Sequence, residues 1–210
     1  MKFKFLSIFL ICLMLFSSVG AASAASISKC DGIKEVSNEP IIVNDLSLKG
    51  LNDAINNATD GDIIIINGSI RERGQITCNK NLSIVGQNNC KLKGILWSCS
   101  KDIDFKNISF CGCSDSSKGG VIYCEGSINI SDSNFTNNFA MAYGGTIYAK
   151  GHVNVNTCYF EDNFAKDCDG GAIYSSGDIC VVNSVFENNL AKGNSGGAIY
   201  SIGDCVKLIG

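Results

Sequence analysis

The stretch that decides the fold is GGVIY at 119–123, which returns as GGTIY at 144–148, GGAIY at 170–174 and GGAIY at 196–200. The starts are 25, 26 and 26 residues apart. A second motif keeps the same step, because Phe135, Phe160 and Phe186 are each followed three residues later by Asn138, Asn163 and Asn189. Such a period is longer than a heptad or a single strand and shorter than a propeller blade, so each period is one layer of a stacked array. Its residues are mainly Gly, Asn, Ser, Val, Ile and Phe, with no apolar spacing of three and four to mark a helix, which makes the layer a coil of short strands.

The pairs Ile103/Phe105, Ile128/Ile130, Val153/Val155 and Ile179/Val181 stand seven and five residues before Phe110, Phe135, Phe160 and Phe186. Alternation by two puts both members of each pair on one face, pointing inward. Stacked at about 4.8 Å per layer, they form aliphatic rows with a Phe row beside them. The Asn of each layer is expected at a corner, where one residue takes a left-handed or bridging conformation, and its amide is expected to bond to the Asn of the next layer. Asn138, Asn163 and Asn189 would form that ladder, and the Gly-Gly pair would form a bend.

The first residues do not fit this pattern. Lys2 and Lys4 precede an apolar run from Phe5 to Phe16, and small residues lead to Ala22-Ser23-Ala24. This predicts a secretory signal peptide over 1–24. The apolar run is shorter than the roughly 20 residues of a membrane span, and no later segment approaches one. With Lys2 and Lys4 removed, 15 basic residues face 20 acidic ones, a net −5, which argues against nucleic acid or an anionic membrane as partner.

Eleven of the twelve cysteines follow the signal. So many in an exported chain point to disulfides, and the odd number leaves one thiol over. Cys99 and Cys124 are one coil apart, which makes them the candidate pair. No metal site or cofactor is implied, because Cys111-Gly-Cys113 is the only tight cysteine pair and His152 the only histidine.

Residues 25–61 read as an entry segment and capping helix. Leu48, Leu51, Ile55 and Ala58 share one helical face, with Ser47 or Asp45 to cap its start and Gly61 to end it. Residues 62–210 read as the solenoid, about six coils, with early strands at 63–66, 76–77, 82–85, 92–97 and 103–105. After the last GGAIY the chain passes Gly203-Asp204-Cys205 and reaches Gly210 within a coil. This predicts an open strand edge that further coils or a partner would cover.

GGxI followed by FxxN resembles the repeats of polymorphic outer-membrane proteins and of adhesin-like archaeal surface proteins. LNDAINNATDGDIIII with NKNLSIVG is similar to the entry region of pectate-lyase-like proteins. The resemblance implies an all-β fold, a right-handed parallel β-helix with a short N-terminal capping helix, used extracellularly at a cell surface or outer envelope for adhesion or display. The translocator barrel of those proteins has no counterpart here, so surface attachment is inferred and the chain reads as part of a longer one.

Three functions follow from the residues. A binder would use Tyr123, Tyr148, Tyr174 and Tyr200, which alternate with Ile122, Ile147, Ile173 and Ile199. With the Ile row inward, the tyrosines form an exposed strip suited to a glycan or protein of a host or neighbouring cell; with the tyrosines inward, they are core. A polysaccharide lyase or glycoside hydrolase would need a base and paired carboxylates. The available residues are Arg71 and Arg73 near the entry and Asp167 and Asp169 beside Gly170, and His152 has Ser127 and Asp178 as counterparts, which share no evident chemistry. A spacer would need nothing more than the coil. Taken together, the residues favour a non-catalytic scaffold or adhesin.

Overall fold

The structure, a computed structural model, describes residues 39–115, 117–193 and 195–210. The expected signal peptide, most of the entry segment and Cys30 lie outside the described residues. From Ile41 onward the chain winds into a parallel β-solenoid with four faces. Sheet A has eight strands: Ile41–Val43, Ile63–Ile66, Leu82–Gly86, Ile103–Lys106, Ile128–Ser131, Val153–Asn156, Ile179–Val182 and Val206–Ile209. Sheet B has five, from Lys91–Lys93 to Val185–Glu187, and sheet C six, from Gly74–Cys78 to Ile199–Ser201. Sheet D has four two-residue strands, from Ser114–Asp115 to Leu190–Ala191. In the later coils the chain visits A, B, D and C in turn.

Eight strands in sheet A mean seven returns of the chain, one more than the six coils expected. The additional strand is Ile41–Val43, which pairs in parallel with Ile64–Ile66. The solenoid therefore begins before the helix. That helix, Leu48–Asn57, is an excursion within the first turn. Its Leu51, Ala54 and Ile55 are buried against the first strands of sheets A and C. Ser47 is the N-cap, accepting the Gly50 N–H at 3.0 Å, a contact worth about 1 kcal/mol. Both helix ends are also held by later coils. Glu72 accepts the Leu48 N–H at 2.9 Å, and the Lys80 ammonium donates to the carbonyls of Ile55 and Asn56 at 2.9 and 2.8 Å. An anion at the start and a cation at the end match the helix dipole. The helix ends at Ala58, short of Gly61, because Ala58 is already extended while its N–H bonds back to Ala54.

The core follows the alternation in the sequence. Ile103, Phe105, Ile128, Ile130, Val153, Val155, Ile179 and Val181 are all buried, and they pair in register through sheet A. Phe110, Phe135, Phe160 and Phe186 stack with ring centroids 4.8, 4.7 and 4.6 Å apart, so one ring fits each layer. The early core is less regular: Trp97, Phe105 and Phe110 meet edge to face at 5.0 and 5.4 Å. The run 92–97 expected as one strand is two, Lys91–Lys93 in sheet B and Ile95–Cys99 in sheet C, because Gly94 turns between them at φ 75°.

Three left-handed positions recur in each later coil: Asn107/Asp132/Thr157/Asn183, Gly112/Asn137/Asp162/Asn188 and Gly119/Gly144/Gly170/Gly196. The second set corrects one expectation. The residue bent at the corner is the one before each ladder asparagine, and Asn138, Asn163 and Asn189 face inward behind it. The ladder itself is present. Asn138 Nδ2 donates to Asn163 Oδ1 at 3.1 Å, and Asn163 Nδ2 to Asn189 Oδ1 at 2.9 Å. Each amide also bonds a carbonyl at a Phe position, those of Phe110, Phe135 and Phe160. A ladder asparagine thus satisfies buried backbone groups on both sides, which is why it can be buried.

Gly-Gly is the third bend. The first glycine is left-handed, and the second, at Gly120, Gly145 and Gly171, has no room for a side chain against the next coil. A Cβ on Gly145 or Gly171 would lie 2.0 Å from the carbonyl oxygen of Gly171 or Gly197 in the next coil.

Candidate functional site

The tyrosine row lies on the outer face of sheet C. Ile122, Ile147 and Ile173 are buried within the coil, and Tyr123, Tyr148, Tyr174 and Tyr200 stack outside it at 5.4, 5.1 and 5.4 Å. They point outward without being open. Tyr148 and Tyr174 are each only 7% exposed. Tyr143, from the loop between sheets D and C, tilts against both rings, and the Lys118 ammonium lies 4.8 Å from the Tyr148 ring centre. Burial pushes the Tyr174 hydroxyl up to about 12. Only Tyr123 and Tyr200, at the ends of the row, remain half-buried. The expected strip is therefore a second aromatic layer closed at its middle by a loop of the same chain.

Sheet A has an open outer face. Two columns of side chains run along the solenoid axis there, one residue per coil. The first is Ser83, Asp104, Asn129, Asn154 and Cys180, and the second is Val85, Lys106, Ser131, Asn156 and Val182. Between them lies a groove of about 540 Å³ whose floor is the strand backbone at Ile84, Phe105, Ile130 and Val155.

From Ser83 to Asn154 the first column is joined by hydrogen bonds that converge on Asp104. Asn154 Nδ2 donates to Asn129 Oδ1 at 2.8 Å, and Asn129 Nδ2 donates to Asp104 Oδ1 at 2.7 Å. From the other side Ser83 Oγ donates to Asp104 Oδ2 at 3.1 Å. The Asp104 carboxylate thus takes a donor on each oxygen. In the second column Lys106 lies 4.0 Å from Asp132.

Where sheet C returns to sheet A, Asp102, Ser127, His152 and Asp178 share a role despite their different chemistry. Each side chain accepts the backbone N–H of its counterpart or the adjoining residue in the next coil, at 2.8, 3.2, 3.1 and 3.0 Å. His152 is a backbone acceptor through Nδ1. Asp169 likewise accepts the Ser195 N–H at 2.6 Å and braces the loop of the following coil.

Cys99 and Cys124 are register partners, and Cys78 continues the row, yet all ten described cysteines are free thiols. The register sets the Cα atoms of Cys99 and Cys124 about 4.8 Å apart, within the range that a disulfide spans. A hydrogen bond with Cys124, together with burial, holds the Cys99 thiol well above its ordinary range. Cys158 replaces a serine: its Sγ donates to the Asn156 carbonyl as Ser133 and Ser184 do to those of Ser131 and Val182.

Three segments of the chain, residues 132–150, 157–176 and 183–202, match the Chlamydia polymorphic membrane protein repeat. No curated protein and no solved structure matches the chain. Each repeat begins at the left-handed residue after a sheet A strand, passes through sheets B and D, and ends at or just beyond the sheet C strand. Tyr148, Tyr174 and Tyr200 fall inside the repeats, as do the Phe and Asn ladders at 135–138, 160–163 and 186–189. The sheet A strands 128–131, 153–156, 179–182 and 206–209 fall outside them. In the three matched coils the matches cover the strands of sheets B, D and C, and the face with the groove lies between them.

The groove residues were legible in the same alternation that gave the core. Ile-Asp-Phe-Lys, Ile-Asn-Ile-Ser and Val-Asn-Val-Asn each place two polar side chains opposite two apolar ones. Reading only the inward half left the outward columns unassigned.

Proposed function

We propose that this chain is an exported, non-catalytic display scaffold of adhesin type, acting at the cell surface or outer envelope. The observation that carries this reading is the coincidence of the matched membrane-protein repeats with the coils whose recurring Gly, Phe and Asn residues serve architecture. The expected signal peptide supports export. A soluble or surface-borne glycan or protein of another cell is the partner class it suits.

The residues available for acid–base chemistry are otherwise engaged or dispersed. Asp169 is bonded to the loop of the next coil, and Arg71 and Arg73 are exposed beside the early coils. Glu161 and Glu187 stand in register on sheet B, outside the groove, where Glu187 accepts the Tyr159 hydroxyl at 2.7 Å.

Surface biotinylation of intact cells expressing the full chain should label it without lysis; labelling that appears only after lysis would refute surface display. Purified chain incubated with whole cells and extracted envelope polymers should be retained by one of them. Retention by neither reduces it to a spacer. A depolymerase activity on a glycan panel that disappears in the Asp167→Asn/Asp169→Asn double variant would replace the scaffold reading with an enzymatic one.

A further inference from the structure

We infer that the groove on sheet A is a binding site for an extended, neutral, β-linked hexopyranose chain lying along the solenoid axis. This rests on the surface-scaffold reading above and names the ligand class for it.

The first argument is spacing. Successive polar side chains in each column are one layer apart, about 4.8 Å, and an extended β-linked hexopyranose chain advances by nearly that distance per ring. One ring per coil therefore meets the same side-chain positions at each step. An extended peptide advances about 3.3 Å per residue, so it falls into step only at every second coil, and there with its side chains on alternate faces. A peptide also gains no strand pairing there, because the groove crosses the strands and presents no free sheet edge.

The second argument is chemistry. Asn129 has one amide hydrogen and one oxygen lone pair beyond those used in the ladder, and Asn154 has an amide hydrogen and its whole carbonyl oxygen. Asn156 and the Ser131 hydroxyl add donors and acceptors on the opposite wall. Alternating donors and acceptors on both walls suit hydroxyl groups, which do both. The strand floor between them, over Phe105, Ile130 and Val155, suits the C–H faces of sugar rings.

Charge selects the neutral class. Asp104 has a donor on each carboxylate oxygen, and Lys106 faces Asp132, so the groove offers no uncompensated cation for a polyuronate. The chain as a whole is acidic, with a formal net charge of −3, which opposes a polyanion further.

The third argument is location. The groove residues of the later coils lie between the matched repeats, where the shared coil architecture does not dictate them. The alternative face is obstructed by Tyr143 and Lys118.

Isothermal titration of the full chain with cellohexaose, mannohexaose, chitohexaose and hexagalacturonate tests this. A neutral hexasaccharide should bind at least tenfold tighter than hexagalacturonate. Asn156→Trp, which fills the groove from an exposed position, should weaken binding at least tenfold, while Tyr200→Ala on the other face should stay within twofold. Circular dichroism checks folding, and Ser131→Trp supplies the same block if Asn156→Trp does not fold. The proposal is overturned by no binding of any neutral hexasaccharide, by a preference for hexagalacturonate, by unchanged binding in a folded blocked variant, or by loss of binding in Tyr200→Ala. Retention on cells or envelope polymers that persists in the blocked variant removes the groove ligand and leaves the surface reading standing. Failure of the wild-type chain to bind cells, polymers or hexasaccharides removes the groove ligand and reduces the surface reading to a spacer.

Discussion

The early coils are three-sided and the later ones four-sided. From one sheet A strand to the next the chain spends 20 residues between Ile63 and Ser83 and 21 between Leu82 and Ile103, but 25 to 27 in each coil from Ile103 onward. The added residues are the strands of sheet D and the loop leading to Gly-Gly. GGxIY is therefore the signature of a fourth face, which explains why the early coils lack it while stacking on the same axis. Ring packing changes where the two regions meet: Trp97, Phe105 and Phe110 contact edge to face across the junction, and from Phe110 onward the rings stack in parallel.

The sharpest break of this contrast is at glycine. Gly145→Val should abolish cooperative folding, because its Cβ would meet the Gly171 carbonyl carbon–oxygen group at 2.0 Å in a backbone that cannot retreat. Gly61→Ala, before the first short coil, meets nothing within 4 Å and bears only the left-handed penalty at φ 91°, about 1 kcal/mol. Urea denaturation of the two variants separates these outcomes; equal losses would show that the fourth face is not specially constrained.

Next is Asn163→Leu, which removes an acceptor from Asn138 and a donor from the Phe135 carbonyl within a buried ladder. A loss on the order of 3 kcal/mol in urea unfolding is expected. A loss below about 1 kcal/mol would mean that the ladder is ornamental.

Alkaline pH acts on both regions through buried thiols. Burial raises Cys90 and Cys113 from 9.0 to about 12 and Cys158 to about 11. The folded state holds these protons more tightly than the unfolded one. The resulting stability is complete below pH 9 and declines as pH rises toward 12. Denaturation midpoints should fall across that window; a flat profile would contradict the burial. Under native conditions at neutral pH, alkylation should reach Cys205 and the half-buried Cys168 and Cys180 well before these three.

The smallest effect is expected at Trp97 in the early core. Its Nε1 is buried with no hydrogen-bond partner among the described residues. Trp97→Phe loses ring volume but also removes that unmatched donor, so the net change should be within about 1 kcal/mol. A loss as large as that of Asn163→Leu would show that the irregular core is as exacting as the regular one.

What the sequence disclosed was whatever repeated by identity: Gly-Gly, the Phe column, the ladder asparagines and the inward aliphatic pairs. Positions that repeat by role were hidden. Gly112, Asn137, Asp162 and Asn188 share only tolerance of a left-handed backbone, and Asp102, Ser127, His152 and Asp178 share only an acceptor atom. The strand Ile41–Val43 was read as part of an entry segment because its partner lies beyond an intervening helix, and the groove was missed because its walls are the outward half of an alternation of which only the inward half marks the core.

The axial direction of the backbone hydrogen bonds between layers has a mechanical consequence. Tension applied between the two ends of the stack loads these bonds one layer after another, so coils should peel off singly. Each four-sided coil of about 26 residues would release roughly 90 Å of chain for a lost layer of about 5 Å. Single-molecule pulling should show evenly spaced force drops over the later coils and shorter steps, from fewer residues, over the early ones. A protein held at one end and gripped at the other would then lengthen stepwise under load while its remaining layers stay folded.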